Sequence, residues 1–185
     1  VATSIVDTRK AEKMYMLDYS IDSLYKPKLL SYYRGSPGDT TMVHITPVFY
    51  NVETKKEVKT SLPTGTHINS VAVEWTENSG ELLANHSERG FKKLTVKQVN
   101  LINGKEDILI EEASKTNIDN FWYKNLEEQG KIIFLSERSG WQQLYMVDIK
   151  TKETKPITKG DYYVNSVIHT NEDKGEIYFL ASGKD

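Results

Sequence analysis

Short runs of alternating apolar and polar residues dominate this chain, and polar turn residues separate them at close intervals. Ser70-Val71-Ala72-Val73-Glu74-Trp75 alternates, breaks at Thr76-Glu77-Asn78-Ser79-Gly80 and resumes as Glu81-Leu82-Leu83-Ala84. Two such runs around an Asn/Ser/Gly break predict a β-hairpin. Leu94-Thr95-Val96-Lys97-Gln98-Val99 alternates in the same way, Asn103-Gly104 predicts a two-residue turn, and Ile108-Leu109-Ile110 supplies the return strand. The same order then recurs. Ile118 to Tyr123 precedes a Glu128-Gln129-Gly130 turn, followed by Lys131-Ile132-Ile133-Phe134-Leu135, Leu144 to Ile149, a polar turn over 150–154, and Lys155-Pro156-Ile157-Thr158.

The recurrence extends to residue identity. Gly80-Glu81-Leu82-Leu83-Ala84-Asn85-His86-Ser87-Glu88-Arg89-Gly90-Phe91 is echoed by Gly130-Lys131-Ile132-Ile133-Phe134-Leu135-Ser136-Glu137-Arg138-Ser139-Gly140-Trp141. A third opening starts at Gly175-Glu176-Ile177-Tyr178-Phe179-Leu180. These glycines are spaced 50 and 45 residues apart (80 to 130, 130 to 175). That is the period of a β-propeller blade, a meander of four short strands. The expected fold is all-β, a partial propeller of four-stranded antiparallel blades with about two complete blades and an incomplete one at each end. Residues 1–185 form part of a single propeller domain. The blades are expected over 1–65 (partial and irregular), 66–116, 117–162 and 163–185 (partial). Val1 to Asp7 reads as a strand, and Thr41 to Tyr50 with Lys56-Glu57-Val58 reads as the last two strands of the first blade. Residues 8–40 fit least well: Lys10 to Tyr15 suits a short helix or a loop, and Lys26-Pro27-Lys28 leads into a Pro/Gly loop.

Composition narrows the function classes. Hydrophobic residues make up 38% of the 185, charged residues 27%, and the formal net charge is −2. Lys and Arg are dispersed, with no basic block, so nucleic acid is not an expected partner. The longest apolar runs are far too short for a transmembrane helix. The chain has no cysteine, which excludes disulfides and thiolate metal sites. It begins at Val1 rather than Met and reads as an excised piece whose targeting signal lies elsewhere. The Cys-free, Lys/Glu/Asn/Tyr-rich composition favours a bacterial parent, periplasmic or otherwise exported to the cell envelope.

Candidate chemistry is sparse. There is no nucleophile elbow, zinc-helix motif, phosphate loop or calcium loop. His44, His67, His86 and His169 lie far apart in sequence and none has metal-ligand spacing, so no metal and no cofactor is expected. Ser87-Glu88-Arg89 and Ser136-Glu137-Arg138 invite a catalytic reading. Their recurrence at one point of each repeat makes them blade corners instead, because a catalytic constellation is unique. Ser and Glu would satisfy loop N–H groups, Arg would bridge to a neighbouring strand, and Phe91 and Trp141 would pack between blades. Glu111-Glu112 and Glu127-Glu128 are acidic pairs able to share a ligand ammonium. They are expected to be solvated, one at a strand end and one in an inter-strand loop. Asn85-His86-Ser87 is a formal glycosylation sequon inside the repeated corner. No catalytic, substrate-binding or metal-binding residue is assigned.

Ser136-Glu137-Arg138-Ser139-Gly140-Trp141-Gln142-Gln143-Leu144-Tyr145-Met146-Val147-Asp148, followed by Ile157-Thr158-Lys159-Gly160-Asp161-Tyr162-Tyr163-Val164, resembles a motif of the dipeptidyl peptidase IV family. That family's N-terminal propeller reads roughly S-E-R-x-G-[WY]-x-x-L-Y-x-x-D and then I/L-T-x-G-x-W-x-V. Here Tyr162 or Tyr163 stands where the family usually has Trp. A looser resemblance runs from Pro27 to Glu53, and the likeness covers most of 27–183.

The resemblance implies a parent that pairs an eight-bladed propeller with a C-terminal α/β-hydrolase domain carrying a Ser-Asp-His triad and acting on short peptides. The nucleophile elbow is not in this sequence. The family's amine-binding glutamates sit in a D-W-x-Y-E-E-like motif, and Glu111-Glu112 lacks that lead-in, so the role is not transferred. The expectation is therefore a non-catalytic propeller portion of a serine exopeptidase, gating access to a hydrolase domain outside this sequence. The alternative is a non-enzymatic propeller interaction module of an exported bacterial protein. A propeller glycosidase would need converging carboxylates, and the repeat singles out no such pair. A partial ring leaves blade faces open, so the isolated chain is expected to self-associate.

Overall fold

In a computed structural model, which describes residues 1–20, 26–36, 38–78 and 80–183, the alternating runs become fifteen β-strands and one 3₁₀ turn. Among the described residues there is no α-helix. Pro37 and Ser79, both within turns expected from the sequence, lie outside the described residues. The chain divides into two compact units, Val1–Ala72 and Val73–Asp185.

The first unit holds a three-stranded sheet and a separate hairpin. β1 (Ala2–Asp7) pairs antiparallel with β4 (His44–Asn51), which pairs with β5 (Lys56–Val58). Between β1 and β4 the chain makes β2 (Met14–Asp18) and β3 (Lys28–Tyr32), a two-stranded antiparallel pair. No helix forms at Lys10–Tyr15: the backbone turns at Thr8–Ala11 and enters β2 at Met14. Val48 and Phe49 of β4 are buried. Ile45 exchanges two backbone hydrogen bonds of 2.9 Å with Gly65. At Gly65 a Cβ would lie 2.3 Å from the Asn69 carbonyl oxygen, so this approach requires glycine.

The second unit consists of the repeats. β6 (Ala72–Trp75), β7 (Glu81–Ser87), β8 (Lys93–Asn100) and β9 (Glu106–Ala113) form one four-stranded meander. β10 (Tyr123–Leu126), β11 (Lys131–Ser136), β12 (Gln143–Asp148) and β13 (Thr154–Pro156) form the next, and β14 (Tyr163–Asn171) with β15 (Glu176–Ser182) makes a two-stranded pair. The run expected from Ile118 becomes a strand only at Tyr123. Ahead of it, Ile118 ties back to Phe91 through its N–H, at 2.7 Å, so this stretch serves as the connector between sheets.

Successive side chains of a strand point to opposite faces, so a strand between two other layers must be apolar on both. β11 meets this condition, with Ile132, Ile133, Phe134 and Leu135 all at or below 2% exposure. Ile132 and Phe134, with Tyr145 and Val147 of β12, join Leu83, Leu94, Val96, Leu109 and Ile110 of the preceding sheet in one core. Leu135 and Leu144 join Tyr162 and Val164 in a second core that also engages Ile177 and Phe179.

A single turn design closes hairpins in both units. The Oδ1 of Asn51, Asn100, Asp148 and Asn171 accepts the N–H three residues on, from Thr54, Asn103, Thr151 and Lys174 at 2.8–3.2 Å. The residue after each donor is left-handed: Lys55 (φ 56°), Gly104 (74°), Lys152 (62°) and Gly175 (65°). The Asn103-Gly104 loop is accordingly longer than two residues. Asn100 is its anchor, its N–H donating to the Lys105 carbonyl at 2.8 Å.

This arrangement predicts the effect of two substitutions. Left-handed backbone costs a side chain roughly 1–2 kcal/mol, so Lys152→Gly is expected to raise the thermal midpoint and Lys152→Ile to lower it. N–H donation from Thr151 holds the Asp148 carboxyl below the usual carboxylate range, so its contribution exists above that range and fades as pH falls through the depressed value. Asp148→Asn, copying the other three turns, should lower the neutral-pH midpoint slightly and flatten the acid limb of a stability–pH profile. Circular-dichroism melts across pH 2–8 test both.

Candidate functional site

The repeated corner is built where a buried carboxylate meets the next sheet. Glu111 and Glu112 are consecutive on β9, so they face opposite ways. Glu111 is exposed and pairs with Lys93 at 3.2 Å. Glu112, expected in solvent, is 7% exposed because its side chain turns toward β11. Its Oε2 accepts the Ser136 hydroxyl at 2.8 Å and its Oε1 is paired with the Arg138 guanidinium. The Ser136 Oγ also accepts from the Arg138 N–H at 3.2 Å and its Nε at 3.1 Å. The guanidinium lies 5.2 Å from the Phe134 ring centre and 5.1 Å from that of Tyr145, so its flat face caps the core while its edge meets Glu112.

Two parts of the expected corner differ. The Glu137 carboxylate accepts from the Tyr163 hydroxyl at 3.4 Å rather than from a loop N–H. Trp141 does not pack between sheets; it is 43% exposed. The buried residues are Gln142 and Gln143, at 1% and 2%. Gln142 Nε2 donates to the Val164 carbonyl at 2.6 Å, and Gln143 Nε2 to those of Tyr162 and Gly160 at 2.7 and 3.2 Å. Glutamine reads as polar and therefore exposed. The available signal was the change from Lys92-Lys93 in the first repeat to Gln142-Gln143 in the second. Tyr162 takes the buried position beside them, at 8% exposure.

At the opposite end of the sheets, the hairpin turns after β6, β10 and β14 border an open hollow of about 810 Å³. Glu74, Glu77, Glu127, Glu128, Glu172 and Asp173 all line it, together with Trp75, 48% exposed. Glu127 opens the 3₁₀ turn Glu127–Gln129, which replaces the expected plain loop. Its Oε2 accepts the Glu77 N–H at 2.8 Å and its Oε1 accepts Asn125 Nδ2 at 2.9 Å, so one carboxylate ties two hairpins 50 residues apart. Lys124 pairs with Glu172 at 2.9 Å. Burial, and then the nearby Glu74 charge, push the Tyr123 phenol above its ordinary range. His169 lines the hollow and meets the Tyr178 ring at 6.1 Å. His86 lies in β7, His44 in β4 and His67 in a loop. Among the described residues, no three His, Asp or Glu side chains are placed to hold a metal ion. No helix of the described residues is long and apolar enough to cross a membrane.

Two four-stranded meanders packed face to face through one shared core, with hairpin turns of one Asx design recurring along the chain, define a partial β-propeller. The chain matches the family described as "Dipeptidyl peptidase IV (DPP IV) N-terminal region" along residues 1–185, and it belongs to that family. A probable dipeptidyl peptidase 4 of Aspergillus flavus is 30% identical over 59 residues, which is 32% of this chain and 8% of that protein. The crystal structure of Porphyromonas gingivalis dipeptidyl peptidase 4 superposes with a TM-score of 0.78 at 18% identity. That match covers 98% of this chain and 26% of the other, and at such identity it speaks for the fold. The matched residues thus span 26% or less of the length of these relatives.

Arg138→Met should leave the Glu112 carboxylate with the Ser136 hydroxyl as its remaining partner and cost about 1–3 kcal/mol, the scale for a buried polar group that loses a partner. Removing both charges with Glu112→Leu and Arg138→Met should recover most of that loss. Urea denaturation of the single and double variants measures it; additive losses would show that the two side chains act independently.

Proposed function

We propose that this chain is the non-catalytic propeller portion of a dipeptidyl peptidase IV-like serine exopeptidase, and that it gates peptide access to a hydrolase domain carried elsewhere in the parent. The observation that carries this reading is the family match over residues 1–185 on a fold made of blades. Residues 1–185 act as one continuous part of a single propeller. A ring of blades over a hydrolase pocket admits a chain end and excludes folded protein, and its walls orient the peptide rather than cleave it. Cleavage in the parent proceeds by serine acyl transfer. The parent is a bacterial protein of the periplasm or cell envelope.

A second reading, a non-enzymatic binding module of an exported protein, is favoured by the acidic hollow with its exposed Trp75, which would serve a cationic partner with no hydrolase present. The coding sequence downstream separates the two. A hydrolase domain with a nucleophile elbow selects the peptidase; its absence selects the module.

Two measurements follow for the isolated chain. A Gly-Pro chromogenic substrate should remain uncleaved by residues 1–185 and be cleaved by the full parent. Turnover by the chain alone that a serine reagent abolishes would overturn the assignment. The β14–β15 pair leaves Ile168, Tyr178 and Leu180 at 63%, 51% and 54% exposure, so the isolated chain should self-associate as concentration rises. Light scattering that reports a monomer throughout would contradict this.

A further inference from the structure

Three of the four recurring hairpin turns place Thr54, Thr151 or Lys174 ahead of the left-handed residue, whereas the β8–β9 turn places Asn103 ahead of Gly104. We propose that Asn103 is a site of spontaneous backbone modification, converting through a succinimide to isoaspartate at a rate set by opening of this turn. The proposal is independent of the peptidase reading.

The chemistry needs a side-chain amide carbon beside the next backbone nitrogen, with no side chain on that next residue to obstruct ring closure. Asn103 is exposed, and a Cβ at Gly104 would meet nothing within 4 Å, so the space around the ring is open. The Lys105 N–H donates to Asn103 Oδ1 at 2.9 Å. That bond makes an Asx turn across Gly104 and polarises the amide carbonyl that the Gly104 nitrogen must attack. One contact opposes the reaction: the Gly104 N–H donates to the Asn100 carbonyl at 2.9 Å and must be released first. The Asn100 side chain holds the turn closed by accepting the N–H groups of Ile102 and Asn103.

Once freed, the Gly104 nitrogen gives its proton to solvent hydroxide and attacks Asn103 Cγ. Nδ2 of the tetrahedral adduct takes a proton from water, regenerating hydroxide; the Cγ–Nδ2 bond then breaks, ammonia leaves and a five-membered imide closes. Water then adds to either ring carbonyl. One opening yields aspartate; the other yields isoaspartate, with the backbone rerouted through the side-chain carbon. No oxidant or reductant enters. The product carries a new negative charge and a chain one methylene longer, in a turn whose register depends on Asn100 pairing with Lys105.

Incubation of the purified chain at pH 8 and 37 °C, followed by peptide mapping and isoaspartyl methyltransferase labelling, tests this. Asn165-Ser166 and Asn69-Ser70 are internal references, because each Asn precedes a residue that carries a Cβ. Asn103 is expected to convert about tenfold faster than either, a barrier difference of roughly 1.4 kcal/mol. Asn103→Gln and Gly104→Ala should each suppress the product while circular dichroism stays native, and Asn100→Ala should accelerate it. Conversion at Asn103 no faster than at Asn165 would overturn the site. An Asn100→Ala rate equal to that of the unaltered chain would overturn the control by turn opening.

Discussion

Every sheet in the repeat region depends on one constraint: a strand with neighbours on both faces has no polar side to offer. β11 is the extreme case, sending Ile132 and Phe134 into one core and Leu135 into another. Neither core exists within a single sheet, because each is completed by side chains from the next one along the chain. A blade is therefore stable only in company, and stability passes from neighbour to neighbour as in other repeat proteins. The large contiguous apolar area supplies the driving force, and the polar ties are placed around it.

Those ties share a logic. Each joins a side chain in one repeat to a group in a neighbouring one: Glu112 to Ser136 and Arg138, Glu127 to the Glu77 N–H, and Gln142 and Gln143 to carbonyls just before or within β14. Those of Glu112, Gln142 and Gln143 satisfy buried polar groups that apolar packing leaves at the sheet ends, where connectors replace ladder hydrogen bonds. A carboxylate or amide in such a position fixes the angle between sheets as well as the contact, since only one orientation meets its partners. The acidic hollow gathers the turns of three successive hairpins, so its shape is set by the same stacking.

Strand content, the blade period and the family were legible in the sequence because they rest on periodicity and on residues repeated at fixed spacing. The corner role of Ser136 and Arg138 was legible for the same reason. The burial of Glu112 was not, because the alternation that turns it inward becomes readable only once β9 is known to be followed by another sheet. Trp141 was misjudged, because hydropathy sends tryptophan inward, whereas the buried places went to Gln142 and Gln143, which donate to carbonyls beside β12. Of the acidic hollow only the Glu127-Glu128 pair was visible, because the other carboxylates come from two further hairpins, 50 residues before it and 45 after it in the chain.

The recurring Asx turn separates two jobs that hairpins usually assign to one residue. Glycine commonly supplies the left-handed bend, and a glycine has no side chain with which to do anything else. Where the Asp148 carboxylate already fixes the loop, the bend can be occupied by Lys152, whose amine extends to within 3.7 Å of Asp107 on the preceding sheet. Anchoring the turn from its first residue thus frees its fifth to vary, and a propeller can diversify the rim between its blades without altering the strands that hold it together.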